Sequence, residues 1–393
     1  MFVDSFTPPP PFNLVLLVFL TTPDDIQKEK IFVITNFQKI VFIHSLNNYT
    51  GSPNVLSVII RGLVQKGYEA ELITSRGEGF LSGIRGVKYR YTCYRWSNHP
   101  LHTFASLIFS QTGLFFKVLF CSRRPLYYIN TIVPFGAILA CWLTRKRYVI
   151  HVHENMQQEK PIYRIFRAVY RLCNKKSIFV SGYVRGTALN CRDGMVIHNA
   201  LPDEFYNTAD EFLNRKAEQG KTVLMVASLR RFKGIYEFAA LAEQLPQYSF
   251  ELVLASDEKG TESFRNEVGY LSNLQIYARQ TNLHPFYQRA RLLLQLSHPE
   301  TWVETFGLTI LEAMAYGIPA IVPNIGGPAE LIVNGVNGYT VNPHDLQDIR
   351  SKMDELLNIE YRYRKFSEAA RIRAKQFKET DLIRKIEKYL KLS

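Results

Sequence analysis

The chain has 393 residues, 47% hydrophobic and 21% charged, a composition that suits a soluble globular protein and a length that suits two domains. Five cysteines (Cys93, Cys121, Cys141, Cys173 and Cys191) are odd in number and never spaced C-x-x-C, which argues against a disulfide framework or a zinc site and for a reducing compartment. The net charge of +13 is uneven, with 24 Lys and Arg against 10 Asp and Glu in residues 1–200, and 24 against 25 in residues 201–393.

Residues 1–37 read as an upstream extension. Its apolar run LVLLVFL (Leu14 to Leu20) follows Pro8 to Pro11 and has Asp4 but no Lys or Arg before it, a poor secretory signal. The folded core is expected to begin near Gln38. KIVFIHS (Lys39 to Ser45) reads as a buried strand, NNYTGSP (Asn47 to Pro53) as a turn-rich stretch, and Val55 to Glu69 as a helix capped at Gly67. AELITS follows as a strand, so the order is β, α, β, the signature of a parallel sheet.

No acid occurs between Glu78 and Glu154, a stretch of 75 residues with ten basic ones, among them Arg123, Arg124, Arg145, Lys146 and Arg147. A field of one sign attracts phospholipid, nucleic acid or a phosphorylated substrate. Within it, LIFSQTGLFFKVLF (Leu107 to Phe120) reads either as a core helix or as a helix lying in a membrane interface. No run of 18 apolar residues exists, so no membrane-spanning helix is expected. PLYYINT, RYVIHVHE, SIFVSG and MVIHNA continue the strands, with helices after Pro134 and after Glu154.

Leu201 to Lys221 turns polar and reads as the linker between residues 38–200 and 222–375. A second series of strands starts at TVLMVAS (Thr222 to Ser228) and runs through FELVLAS, NLQIYA, ARLLLQLS, AIVPN and YTVNP. The remainder is strongly helical, and residues 376–393 are expected to form a terminal helix.

Two places in the second half point to an anion. In ETFGLTILEAMAYG, a helix starts at Gly307, where unpaired N–H groups and about half a positive charge gather. Glu312 lies five residues into that helix, placed to accept hydrogen bonds from a ribose diol as acidic residues do in dinucleotide sites. Glu304 lies before the helix start, on the sugar side. At VASLRRFKG, Arg230, Arg231 and Lys233 follow the end of a strand, the usual ligand position in open α/β sheets and a set of cations that suits a diphosphate. His151 and His153 lie two apart, His151 as a packed core residue and His153 at the strand end beside Glu154. No third ligand is placed with them and no D-x-D occurs, so no metal site is expected.

These residues resemble family 4 of the glycosyltransferases, over roughly residues 39 to 390. The most specific part is Glu304 to Glu330, with E-x-F-G-L-x-x-x-E-A-M-A-x-G-x-P, then G-G-P-A-E-L and N-G-x-N-G-Y. The resemblance implies the GT-B fold: two Rossmann-like βαβ domains facing a central cleft, with the C-terminal helix returning to the N-terminal domain. By position it implies that Glu304 contacts donor-sugar hydroxyls and that Thr305, Phe306, Gly307 and Leu308 offer the diphosphate their backbone. It further implies that Glu312 holds the ribose and Lys233 neutralises the diphosphate. Gly51, in the loop after the first strand, would approach the phosphates from the other domain, and His153 would sit near the reacting carbon. The sequence departs from the family pattern at Ser228, where an Arg is usual; either Arg230 or Arg231 takes its place or the diphosphate is held less tightly. Ser256-Asp257-Glu258 replaces the donor-loop glycines often seen there.

The expected activity is a retaining, metal-independent transfer of a sugar from a UDP- or GDP-sugar, with no further cofactor, to an acceptor hydroxyl. The acceptor expected from the basic first half is a lipid-linked glycan in bacterial surface polysaccharide synthesis. That places the enzyme in the cytoplasm, peripheral on the inner face of the membrane. Rival readings are a GT-B epimerase or phosphorylase, and a non-catalytic nucleic-acid-binding protein, which the lack of a recognised binding module disfavours.

Overall fold

The computed structural model describes residues 39–94, 100–158, 161–188, 191, 193–214 and 220–392. The proposed extension, 1–37, lies outside them. In the first half, strands β1 (Lys39–Ile43), β2 (Glu69–Ser75), β3 (Val87–Thr92), β4 (Leu126–Asn130), β5 (Tyr148–Val152), β6 (Ser177–Phe179) and β7 (Gly194–Val196) pair in parallel in the order β3-β2-β1-β4-β5-β6-β7. In the second half, β8 (Thr222–Ala227), β9 (Ser249–Leu254), β10 (Leu274–Tyr277), β11 (Ala290–Leu294), β12 (Ala320–Pro323) and β13 (Gly338–Val341) do the same in the order β10-β9-β8-β11-β12-β13. Each sheet therefore runs outward from its first strand in both directions. The place where the order reverses, β1 beside β4 and β8 beside β11, opens a crevice at the strands' carboxyl ends.

Between the strands of the first half run α1 (Gly51–Gln65), α2 (Pro100–Leu119), α3 (Phe135–Leu143), α4 (Pro161–Cys173) and α5 (Gly182–Thr187). The helix α6 (Asp203–Asn214) then leads into the second half, which carries α7 (Ile235–Gln244), α8 (Glu258–Val268), α9 (His284–Arg289), α10 (Leu308–Ala315), α11 (Pro328–Leu331), α12 (Leu346–Asn358), α13 (Glu360–Ala374) and α14 (Glu379–Leu390). The strands are near-continuous apolar runs because both faces of a parallel sheet are covered by helices; all five residues of β4 and of β5 are buried.

Three expectations need correction. Edge strand β3 has no counterpart in the sequence reading, because VKYRYT is half-exposed and polar on alternate positions. The helix expected from Val55 begins at Gly51, inside the stretch taken for turns, so Gly51 is the first residue of a helix and not part of a loop. The polar segment 201–221 contains α6 in its described part. It is anchored by the buried Tyr206, whose hydroxyl donates to Ala374 O (2.7 Å) and Phe377 O (3.0 Å).

The chain crosses between the lobes twice at one place. Leu201 N donates to Phe377 O (3.1 Å) and Glu379 N to Leu201 O (3.1 Å). Beyond this crossing α14 returns to the first lobe. Its Leu382, Ile383, Ile386 and Leu390 join the core formed by α1 and β1. Gly62 leaves the room this needs, since a Cβ there would stand 2.6 Å from Ile383 Cγ1.

α2 answers a question the sequence leaves open. One side of it is buried (Leu107, Leu114, Val118) and the other exposes Phe104, Ile108, Phe109 and Phe116, with Phe120 exposed just past its end. It is both a core helix and an apolar surface. Among the described residues no helix is long and apolar enough to cross a membrane.

Candidate active site

Two helix starts face each other across the crevice. α10 begins at Gly307, whose φ of +106° is a conformation side chains rarely tolerate; a Cβ there would also meet Ile310 Cδ1 at 2.7 Å. Among the described residues the amides of Phe306, Gly307, Leu308 and Thr309 donate to no protein acceptor, nor do those of Gly51 and Ser52 at the start of α1. The two starts are close: a Cβ on Gly51 would lie 4.0 Å from Leu308 Cδ1. Unpaired amides at a helix N-terminus carry the positive end of the dipole, and here two such ends share one space.

The loop before α10 is shaped by the Gly-Gly-Pro turn after β12. Gly327 N donates to Glu304 O (2.9 Å). Side chains at Gly326 and Gly327 would strike Glu304 O and Thr305 O at 2.6 and 2.2 Å, so only glycine lets the two loops touch. Phe306 is buried, its ring 6.0 Å from that of His198 and 6.2 Å from that of Phe377.

Lys233 closes the other side. After β8 the chain makes a short 3-10 turn, Arg231–Lys233, ended by Gly234 at φ +77°. A Cβ on Gly234 would sit 2.3 Å from Leu296 O. The Lys233 ammonium donates to Glu304 Oε2, so two predicted site residues from separate loops form one ion pair. Of the two arginines, Arg231 lies over the Tyr236 ring (4.9 Å), while the exposed Arg230 side chain has no partner among the described residues. Ser228, where an Arg was expected, is half-buried.

Glu312 lies on α10 and accepts a hydrogen bond from Tyr287 OH (2.6 Å). Burial raises its pKa to about 7 against the lowering effect of that hydrogen bond. Burial with a carboxylate in contact pushes the Tyr287 hydroxyl well up, so it stays a donor. One carboxylate oxygen is thus engaged and the other is available.

In the first lobe, polar groups cluster at the ends of β1, β4 and β5. His153 Nε2 lies 3.0 Å from Asn130 Oδ1, so the proton is on Nε2. The Asn130 amide donates to Ser52 O (3.2 Å), and His44 Nδ1 lies 3.1 Å from that amide and 3.3 Å from Asn130 O, so both imidazoles are tied to the start of α1. Burial holds His153 well below its usual pKa, with His151 and His44 adding to the effect, and holds His44 down at about 4. Both are neutral rings near pH 7. His151, read as a core residue, is fully buried and bonds Tyr128 OH (2.9 Å). Glu154 accepts from the amides of Ile132 (3.3 Å) and His153 (3.2 Å), and burial raises its pKa to about 7. Beside it Thr131 holds φ +75°, backbone strain of the kind stored at functional sites.

His44, Asn130 and Tyr287 were not singled out from the sequence; only the position of His44 and Asn130 at strand ends could have flagged them. Glu330 was quoted only as part of a motif. Its carboxylate reaches from α11 to the first lobe and accepts from the Gly182 and Tyr183 amides at the start of α5 (2.8 and 2.6 Å), with His198 Nε2 at 3.0 Å. Burial opposes its ionisation, but His198 and the two amides outweigh that and hold its pKa below the usual value.

Residues 207–373 match the model for glycosyl transferases group 1. That segment is similar to this family. N-acetyl-alpha-D-glucosaminyl L-malate synthase of Bacillus anthracis is 28% identical over 191 residues, 46% of this chain and 48% of that protein. An exopolysaccharide phosphotransferase of Streptomyces coelicolor is 28% identical over 180 residues, 44% of this chain and 18% of that one. The chain thus spans less than half the length of these curated relatives. Among solved structures, Anabaena HepE in complex with UDP-glucose shares the fold with a TM-score of 0.73, at 18% identity over 90% of this chain and 100% of that one. The architecture is GT-B, as the motifs implied: two Rossmann-like lobes with the terminal helix returned to the first.

Proposed function

We propose that the protein is a family 4 glycosyltransferase that moves a sugar from a nucleotide diphosphate to an acceptor hydroxyl with retention of configuration. One observation carries the reading: two facing helix starts with unpaired amides, flanked by Lys233 and the unpartnered Arg230. That space suits a diphosphate. When the bond between the sugar's anomeric carbon and the phosphate oxygen breaks, the electron pair stays on the diphosphate. Amides and cations already aimed at that charge lower the barrier, by about 3–4 kcal/mol for a well-placed donor. The acceptor oxygen forms the new bond to the same carbon on the same face, and its proton leaves with the diphosphate.

In this scheme Lys233 turns from Glu304 toward the diphosphate as donor binds, which frees Glu304 for the sugar hydroxyls. Glu312 takes the ribose and Arg230 stands in for the arginine missing at Ser228. The neutral His153, oriented by Asn130, faces the reacting carbon. The chemistry needs no metal. UDP is the first base to test, since the fold neighbour holds UDP-glucose.

For the acceptor, the support is the first lobe's surface. Phe109 and Phe116 on α2, Phe120 just after it, Leu143 on α3 and Leu172 on α4 are exposed, as are Arg123, Arg124, Arg145, Arg147 and Arg171. Apolar rings beside cations suit an anionic membrane surface and hence a lipid-linked glycan, in keeping with a relative described as acting in exopolysaccharide chemistry. The enzyme would then work at the inner face of the membrane.

A thermal-shift screen with UDP, GDP, ADP and their sugars tests the donor, because a ligand bound only by the native state raises Tm. With the donor found, release of free nucleotide together with a new glycoside supports transfer. An altered donor sugar without a glycoside makes the protein an epimerase, and no shift with any nucleotide refutes the reading.

A further inference from the structure

Behind the Lys233 loop lies a cluster that takes no part in the proposed chemistry. Glu237 on α7, His298 after β11 and His344 before α12 each aim one potential ligand atom at the others, all within 4.8 Å. Glu300 joins them through His344, whose Nε2 is 3.3 Å from Glu300 Oε2. The His298 and His344 rings stand 4.4 Å apart, centre to centre.

One contact inside the cluster is poor as a protein–protein bond. His298 Nε2 is 3.0 Å from Glu237 Oε1, yet it makes no hydrogen bond there and is shut off from solvent. Glu237 Oε2 is likewise buried without a partner. Buried polar atoms are almost always satisfied, so two orphans in one cluster call for a third party. Each imidazole offers a ring nitrogen to the cluster.

We propose that Glu237, His298, His344 and Glu300 form a binding site for a first-row divalent cation, Zn2+ by its ligand set. Two imidazoles and two carboxylates make a four-coordinate zinc shell. Bonds of about 2.0–2.1 Å in a tetrahedron place neighbouring ligand atoms about 3.3 Å apart. The 3.0 and 3.3 Å pairs already have that spacing, and the wider gaps close with side-chain rotation at the exposed His344 and Glu300. No C-x-x-C or D-x-D spacing announces such a site because its ligands come from three separate segments.

The ion would pin those segments together. His298 N donates to Phe232 O (2.8 Å), Trp302 N donates to His298 O (2.9 Å), and the Trp302 and Phe232 rings stack at 5.6 Å. Lys233 and Glu304 are the residues just beyond. The site therefore buttresses the two loops of the candidate active site from behind, and it is structural whatever reaction those loops serve.

The test uses the full chain without a histidine tag, stripped with chelator and titrated with Zn2+ by calorimetry, with Co2+ as a spectroscopic probe. The expected result is one saturable equivalent, a Tm raised by Zn2+, and visible Co2+ bands of tetrahedral strength. Glu300→Gln should weaken binding at least tenfold while keeping one equivalent, and His298→Ala with His344→Ala should abolish it. His344→Ala alone, at an exposed loop residue, guards against misfolding and should also lose the tetrahedral bands. No saturable equivalent, or one that survives the double variant, overturns the proposal.

Discussion

Glu312 offers a sharp test because its protonation and its proposed role conflict. Burial on α10 lifts its pKa to about 7, and a protonated carboxyl loses acceptor capacity toward a ribose diol. The binding form is the ionised one, present above the folded pKa and lost as pH falls through it. A group with a pKa of about 7 is roughly 90% ionised at pH 8 and roughly 10% at pH 6. The Kd for a nucleotide sugar should then rise about tenfold between those values, about 1.4 kcal/mol. Calorimetry with UDP-glucose and a GDP-sugar measures this cleanly, because the diphosphate of a nucleotide sugar does not itself titrate in that range. Glu312→Gln should bind more weakly at pH 8 and show a flat profile from 6 to 8. The variant also separates Glu312 from Glu154, whose pKa is about 7 as well. Parallel profiles in wild type and variant would refute the assignment of Glu312 to the ribose.

Lys233→Ala should lower turnover by about two orders of magnitude or more, as loss of a cation at the leaving diphosphate demands, with an unchanged circular dichroism spectrum; near-normal turnover would remove Lys233 from the mechanism. Glu330→Ala should leave two α5 amides and His198 without their shared acceptor across the lobes. At about 1 kcal/mol per hydrogen bond, the urea midpoint should fall by an amount worth about 1–3 kcal/mol and small-angle scattering should report a more open particle. An unchanged midpoint and an unchanged particle would show that this contact does not hold the lobes. Phe116→Ser with Phe120→Ser, at side chains 50% and 81% exposed, should strongly reduce sedimentation with anionic phospholipid vesicles; undiminished binding would argue that α2 faces something else.

Much of the second lobe could be read in advance because its signals are local. Gly307 at a helix start, the cations after β8 and the Gly-Gly-Pro turn each impose their geometry within a few residues of chain, and the structure places Lys233 against Glu304 and Leu308 near Gly51. What escaped notice depends on neighbours distant in sequence. Edge strand β3 is defined by its pairing with β2 rather than by its own apolar pattern. Asn130 matters because it lies between His44 and His153, 86 and 23 residues away. Glu330 is an ordinary acid until α5 arrives 148 residues earlier in the chain.

The amino-acid order alone determined two parallel α/β sheets, a crevice at their carboxyl ends and a glycine-started helix there, since periodicity and turn chemistry act over one element at a time. Only the folded chain decided which charges meet. Lys233 with Glu304, Tyr287 with Glu312, Glu330 with α5, and the four groups of the His298 cluster are brought together by packing of whole elements, and electrostatic contacts of a few ångströms cannot be inferred until that packing exists.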